Sequence, residues 1–89
     1  MSHTEIVRAL ELIQAGGFRP GAEWDEAHRI RQTFEGERDF DWIHALLHRI
    51  EGDDVNAGYW YNRAGKSRNP GSVEDEWREM MSSVTSNGE

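Results

Sequence analysis

The chain has 89 residues, no cysteine, a 36% hydrophobic composition and a formal net charge of −7, which together indicate one small domain. The missing cysteines exclude a disulfide framework, a thiolate zinc site and a cysteine nucleophile. The negative net charge repels the phosphate backbone of a nucleic acid, so we expect no nucleic-acid partner. A polar start and the lack of a long apolar run predict no membrane contact and a cytoplasmic location.

Apolar residues at helical spacing predict two helices in the first part of the chain, at about residues 3–15 and 22–34. The apolar face of the first helix is Ile6, Leu10 and Ile13. Glycines at positions 16 and 17 end it, and a turn follows at 18–21. The apolar positions of the second helix are Trp24, Ala27, Ile30 and Phe34.

A second pair of helices is predicted at about 40–51 and 55–64. The apolar positions of the third helix are Phe40, Ile43, Leu47 and Ile50. Either Asp39 or Asp41 is expected to cap its N-terminus. Gly52, Asp53 and Asp54 then form a tight connection and a new N-cap, and Gly65 ends the fourth helix.

The last predicted helix covers about 73–84, after a loop at 66–71. Ser72 with Asp75 three residues later predicts its capping pair. Its apolar positions are Val73, Trp77, Met80, Met81 and Val84. We therefore predict an all-α single domain over 1–85, with a frayed tail at 86–89. Its architecture would be two antiparallel helical hairpins plus a C-terminal capping helix.

The third and fourth helices resemble one tetratricopeptide unit. Such units place a small residue in the first helix, a Gly-Asp turn, and then alanine, an aromatic residue and alanine in the second helix. The matching residues are Ala45, Gly52, Asp53, Ala57, Tyr61 and Ala64. The resemblance implies that the alanines let two backbones approach while Tyr61 fills the space between them. The chain departs from the pattern at His44 and His48, where large apolar residues are usual.

A longer stretch is similar to a family of short uncharacterised bacterial proteins. Its pattern is W-x-H-A-x-x-H-R-x-E-G-D, which begins here at Trp42, followed by N-A-x-Y-W-Y-x-R-A-G, which begins at Asn56. The resemblance implies a shared fold and assigns no reaction.

A polar stripe on the third helix is the most unusual feature. His44, His48 and Glu51 stand at i, i+4 and i+7 and share one side of the helix, and His28 on the second helix is able to reach the same place. One interpretation is structural, with both imidazoles hydrogen-bonded inside the protein and no cofactor needed. The other is a site for zinc or another divalent metal, built from these four residues, which would also allow hydrolysis by a metal-activated water.

Three consecutive aromatic residues in the fourth helix cannot all face one side, because successive helical residues point about 100° apart. If Tyr61 points inward, then Tyr59 and Trp60 pack elsewhere in the chain or contact a partner. Gly58 in mid-helix costs up to about 1 kcal/mol relative to alanine, which suggests a close backbone approach.

These patterns predict a small helical protein-interaction or self-assembling module. Its partner would be another protein or a second copy of the chain, contacted through Tyr59 and Trp60. The alternative is a metal-binding protein that uses His44, His48, Glu51 and His28, with hydrolysis as its reaction if it is an enzyme. The sequence alone leaves open whether the protein is an enzyme.

Overall fold

A computed structural model of the protein describes residues 2–34 and 36–87, and within these ranges it contains five α-helices and no strand. The helices are α1 (Ser2–Ala15), α2 (Ala22–Thr33), α3 (Arg38–Glu51), α4 (Asp54–Ala64) and α5 (Val73–Asn87). The predicted all-α class is therefore confirmed. None of the described helices combines the length and the apolar character that crossing a membrane requires.

Neighbours along the chain pair with one another. The most extensive helix contacts are those of α3 with α4 and of α1 with α2, and α5 lies against α1 and α3. The short connections within each pair favour antiparallel hairpins. This arrangement agrees with two hairpins closed by a last helix, whereas the likeness to tetratricopeptide units stays a prediction.

Small residues line the contact between α3 and α4. Ala45 and Ala64 are fully buried, and Ala57 and Tyr61 are nearly so. An alanine side chain keeps two helix backbones close, because it adds only one methyl group between them. The predicted burial of these four residues is confirmed.

The chain reverses its direction between α3 and α4 at one glycine. Gly52 has a left-handed φ of 86°, and the N–H of Asp53 donates to the carbonyl of His48 at 2.9 Å. The carboxylate of Asp53 then caps α4 by accepting from the N–H of Asn56 at 3.2 Å, as predicted. The turn thereby brings Asp53 back beside the last turn of α3.

Two local predictions are wrong. Helix α3 begins at Arg38, so Asp39 and Asp41 lie inside it, and no side chain caps its N-terminus. Asp41 is instead buried and accepts a hydrogen bond from the N–H of Gly36 at 3.3 Å. No part of the described chain approaches Gly58, since a Cβ atom placed there would meet nothing within 4 Å.

The C-terminal end of α5 extends beyond the predicted position. The helix continues to Asn87 rather than ending at 84. Residues 88–89 of the predicted frayed tail lie outside the described residues, so fraying stays a prediction.

Helix α5 is held by the predicted cap and by a long-range hydrogen bond. Ser72 Oγ accepts from the N–H of Asp75 at 3.1 Å, and the N–H of Ser72 donates to the Asp75 carboxylate at 3.2 Å. The indole N–H of Trp77 donates to the carbonyl of Leu10 at 2.7 Å. The last helix is thus joined to the first.

A fully buried carboxylate, that of Glu76, anchors α5 to the hairpin of α3 and α4. It accepts hydrogen bonds from Trp42 Nε1 at 3.0 Å, Tyr61 OH at 2.7 and 2.8 Å, and the Arg49 guanidinium at 2.6 Å. Arg49 also donates to the carbonyl of Asn69 in the preceding loop. Glu76 and Arg49 together therefore join three helices and a loop.

Candidate functional site

Three imidazoles and an indole meet where α2, α3 and α4 come together. The ring centroid of His44 lies 3.8 Å from that of Trp60, 4.6 Å from that of His48 and 5.3 Å from that of His28. His28 in turn stacks on Trp24 with a centroid distance of 5.2 Å. The structure thus brings His28 next to the histidines of α3, as the sequence suggested.

Hydrogen bonds join the polar residues of α3 in a row. His48 Nδ1 lies 3.0 Å from Glu51 Oε2, and His48 Nε2 lies 3.0 Å from His44 Nε2. The two nitrogens of an imidazole point away from each other, so Glu51 and His44 lie on opposite sides of His48. One ion therefore cannot bind His48 together with both of these neighbours.

The end of this row at His44 is buried and lies close to cationic residues. Burial, with a smaller contribution from the charge of Arg31, lowers the pKa of His44 to about 3, so its imidazole is neutral near neutral pH. Burial and the same guanidinium also lower the pKa of His28, whose Nε2 accepts from Arg31 at 2.9 Å. A positively charged surrounding disfavours a further cation at this end.

One nitrogen at this end has no hydrogen-bond partner. Among the described residues, nothing donates to or accepts from Nδ1 of His44, although the atom is buried. The structural interpretation, in which both imidazoles are hydrogen-bonded inside the protein, is therefore only partly satisfied.

The other end of the row, at Glu51, is acidic and more accessible. His48, Glu51 and Asp53 each offer one ligand atom, and these three atoms lie within 4.8 Å of one another. The side-chain amide and then the backbone N–H of Asn56 lower the pKa of Asp53, which keeps its carboxylate ionised. This cluster stands at the C-terminus of α3, where the helix dipole favours a positive charge.

The sequence pattern predicts Asp53 as a turn and capping residue and not as a metal ligand. The tight turn at Gly52 is the sequence feature that could have revealed it, because such a turn folds the following residue back. Of the four predicted metal ligands, His48 and Glu51 lie at the acidic end. His28 and His44 lie at the cationic end.

The two aromatic residues predicted to contact a partner have different surroundings. Trp60 is half-buried against the ring of His44, with Arg63 5.0 Å above its own ring. Tyr59 is 54% exposed and meets the edge of Trp60 at a centroid distance of 5.1 Å. Trp60 is thus mainly an intramolecular contact, whereas Tyr59 faces solvent.

Comparison with known proteins found no family model, no curated protein and no solved structure that matches the chain. The resemblance to the short bacterial family therefore stays a prediction. Proposals about function rest on the residues described above.

Proposed function

We propose that the protein is an interaction module that self-assembles through the outer face of α4, defined by Val55, Gly58, Tyr59 and Asn62. The observation that carries this proposal is the exposure of two large hydrophobic residues. Val55 is 86% exposed and Tyr59 is 54% exposed, and no other large hydrophobic residue is exposed in the part of the chain that the structure describes. They stand one helical turn apart, so they form one apolar surface.

The spacing of this face suits another helix. Its four residues stand at i, i+3, i+4 and i+7, on the side of α4 opposite the buried Ala57 and Ala64. Open space surrounds Gly58, so a second backbone is able to approach there. Gly58 weakens α4, and no close contact within the described chain requires a glycine there. A partner that packs against α4 at this position would explain it.

A second copy of the chain suits this face by its apolar character. Arg68 bonds Asp54 beside Val55 at 2.8 Å. The net charge of −7 makes two copies repel each other at long range, so the apolar residues of the face supply the attraction. A domain of this size also gains stability by covering apolar surface with another subunit. The cytoplasmic location and the tetratricopeptide-like class are proposed together with this function.

The test is the dependence of molar mass on protein concentration, measured by light scattering after size exclusion. We expect the wild type to associate as its concentration rises and the double variant Val55→Ser/Tyr59→Ser to remain monomeric. A matched control is Glu11→Ser/Gln14→Ser, which changes two exposed positions of α1 and should associate like the wild type. A wild type that stays monomeric at millimolar concentration would contradict self-assembly.

A further inference from the structure

We infer that His48, Glu51 and Asp53 bind one divalent transition-metal ion at the turn between α3 and α4. This site is separate from the outer face of α4, and it replaces the ligand set predicted from the sequence. His48 and Glu51 are retained, Asp53 is added, and His28 and His44 are removed from the ligands.

The spacing of the donor atoms suits a single ion. Two ligands that each lie about 2.1 Å from a tetrahedral ion are about 3.4 Å apart. The three donor atoms lie within 4.8 Å of one another, and Glu51 is an exposed residue whose hydrogen-bond partner, His48, is itself one of the ligands. A modest side-chain adjustment therefore brings all three to binding distance.

The types of donor atom indicate the class of ion. One imidazole nitrogen and two carboxylate oxygens suit zinc, cobalt(II) or manganese(II), whereas magnesium and calcium prefer oxygen ligands alone. Three protein ligands leave at least one coordination position for water.

The local charge favours a cation at this end of the row. The proposed position has two carboxylate ligands and stands at the C-terminus of α3, where the helix dipole favours a cation. Asn56 orients Asp53 by donating from its side chain at 2.6 Å and from its backbone at 3.2 Å. At the opposite end, by contrast, Arg31 bonds His28, and Arg63 lies over the ring of Trp60.

His44 would act as a positioning residue for this site. When His48 binds an ion through Nδ1, its only N–H is on Nε2, which lies 3.0 Å from Nε2 of His44. His44 then accepts that hydrogen bond and fixes the orientation of the ring, in the way that neighbouring groups orient metal-bound histidines.

The experiment is calorimetric titration of untagged, chelator-treated protein with zinc chloride. We expect the wild type to bind one equivalent of zinc and His48→Gln to lose this binding. Asp53→Asn keeps a good N-cap but loses the carboxylate, so its affinity should fall by at least about tenfold. The matched controls are His28→Gln and Asp54→Asn, which change a histidine and a carboxylate outside the site and should bind like the wild type.

Thermal melts with and without zinc provide a second measurement that also checks folding. Zinc should raise the melting temperature of the wild type and of both controls but not that of His48→Gln. The inference is overturned if the wild type binds less than one equivalent, if Asp53→Asn binds with unchanged affinity, or if His28→Gln loses binding. Molar mass measured in the same samples reports on self-assembly separately, so either proposal can fail alone.

Discussion

Helix α3 carries two buried polar clusters, one on each of two opposite faces. On one face, Trp42 and Arg49 reach the carboxylate of Glu76, which also accepts from Tyr61. On the other face, His44 bonds His48 through one nitrogen and buries the other nitrogen without a partner among the described residues. The first cluster satisfies its buried carboxylate, whereas the second does not satisfy all of its atoms.

This difference separates a structural role from a candidate functional role. A buried charge is tolerated when several donors surround it, and the arrangement then specifies how α5 docks. A buried nitrogen without a partner weakens the fold, so stability explains the second cluster less well than the first. The role that we infer for His44 in orienting His48 gives this cluster a purpose besides packing.

The largest expected effect comes from breaking the cluster around Glu76. Arg49→Leu leaves the Glu76 carboxylate buried without its cation, so it should lower the free energy of unfolding by about 3–5 kcal/mol, as measured in urea. Arg78→Leu is the control, because Arg78 pairs with Asp75 in solvent and should cost less than about 1 kcal/mol. Equal losses in the two variants would remove the contrast between buried and exposed pairs.

The second effect is a pH dependence caused by His44. Its folded pKa of about 3 lies below the ordinary value of 6.5, so between these values the unfolded chain binds one proton more than the folded chain. The contribution of neutral His44 to stability is complete above about pH 6.5 and is lost as the pH falls towards 3, by up to about 1.4 kcal/mol per pH unit. Urea unfolding in the presence of a chelator should show this slope in the wild type. The difference between the stability–pH curves of the wild type and of His44→Phe should separate the effect of His44 from the titration of carboxylates. Parallel curves for the two proteins would contradict the prediction.

The third effect is the loss of one donor to Glu76. Tyr61→Phe removes a hydroxyl that bonds both carboxylate oxygens, so it should cost about 1–3 kcal/mol in the free energy of unfolding. Tyr59→Phe is the control, since the Tyr59 side chain is largely in solvent. A loss for Tyr61→Phe no greater than that for the control would mean that this hydroxyl adds little.

The smallest effect is expected on the other face of α3. At pH 7.5, His44→Phe removes the unpartnered nitrogen, which favours folding, and the hydrogen bond to His48, which opposes folding, while a flat ring still packs against Trp60. We therefore expect a net change of less than about 1 kcal/mol in the free energy of unfolding. A loss as large as that of Arg49→Leu would show that this cluster also has a mainly structural role.

Periodicity predicted the helices well because each helix buries one apolar stripe. The residues Ile6, Leu10 and Ile13 of α1 are all buried, and so are Ile43 and Leu47 of α3. The N-terminus of α3 was harder to predict, because Asp39 and Asp41 are both residue types that cap helices. Their spacing did not show that the helix begins before both of them, at Arg38.

The cluster around Glu76 was missed although the sequence contained a sign of it. Glu76 lies on the side of α5 that Val73 and Met80 define, one turn from each, so it was placed to face the core. A charged residue in such a position is usually assigned to the surface, because its burial requires partners from elsewhere in the chain. Those partners, Trp42, Arg49 and Tyr61, come from distant parts of the sequence, and only the tertiary structure joins them.

The candidate site was predicted in part. Helical spacing placed His44, His48 and Glu51 on one side of α3, which the structure shows. Spacing could not show which nitrogen of His48 meets which neighbour, because that depends on side-chain rotation.

The hydrogen bond between Trp77 and Leu10 joins residues from opposite ends of the chain. Because α5 packs on α1 as well as on α3, the first hairpin lacks part of its covering until the last helix has been synthesised. During translation, the apolar surfaces that α5 covers would therefore stay exposed until α5 has emerged from the ribosome. Folding of the five helices would be completed only then.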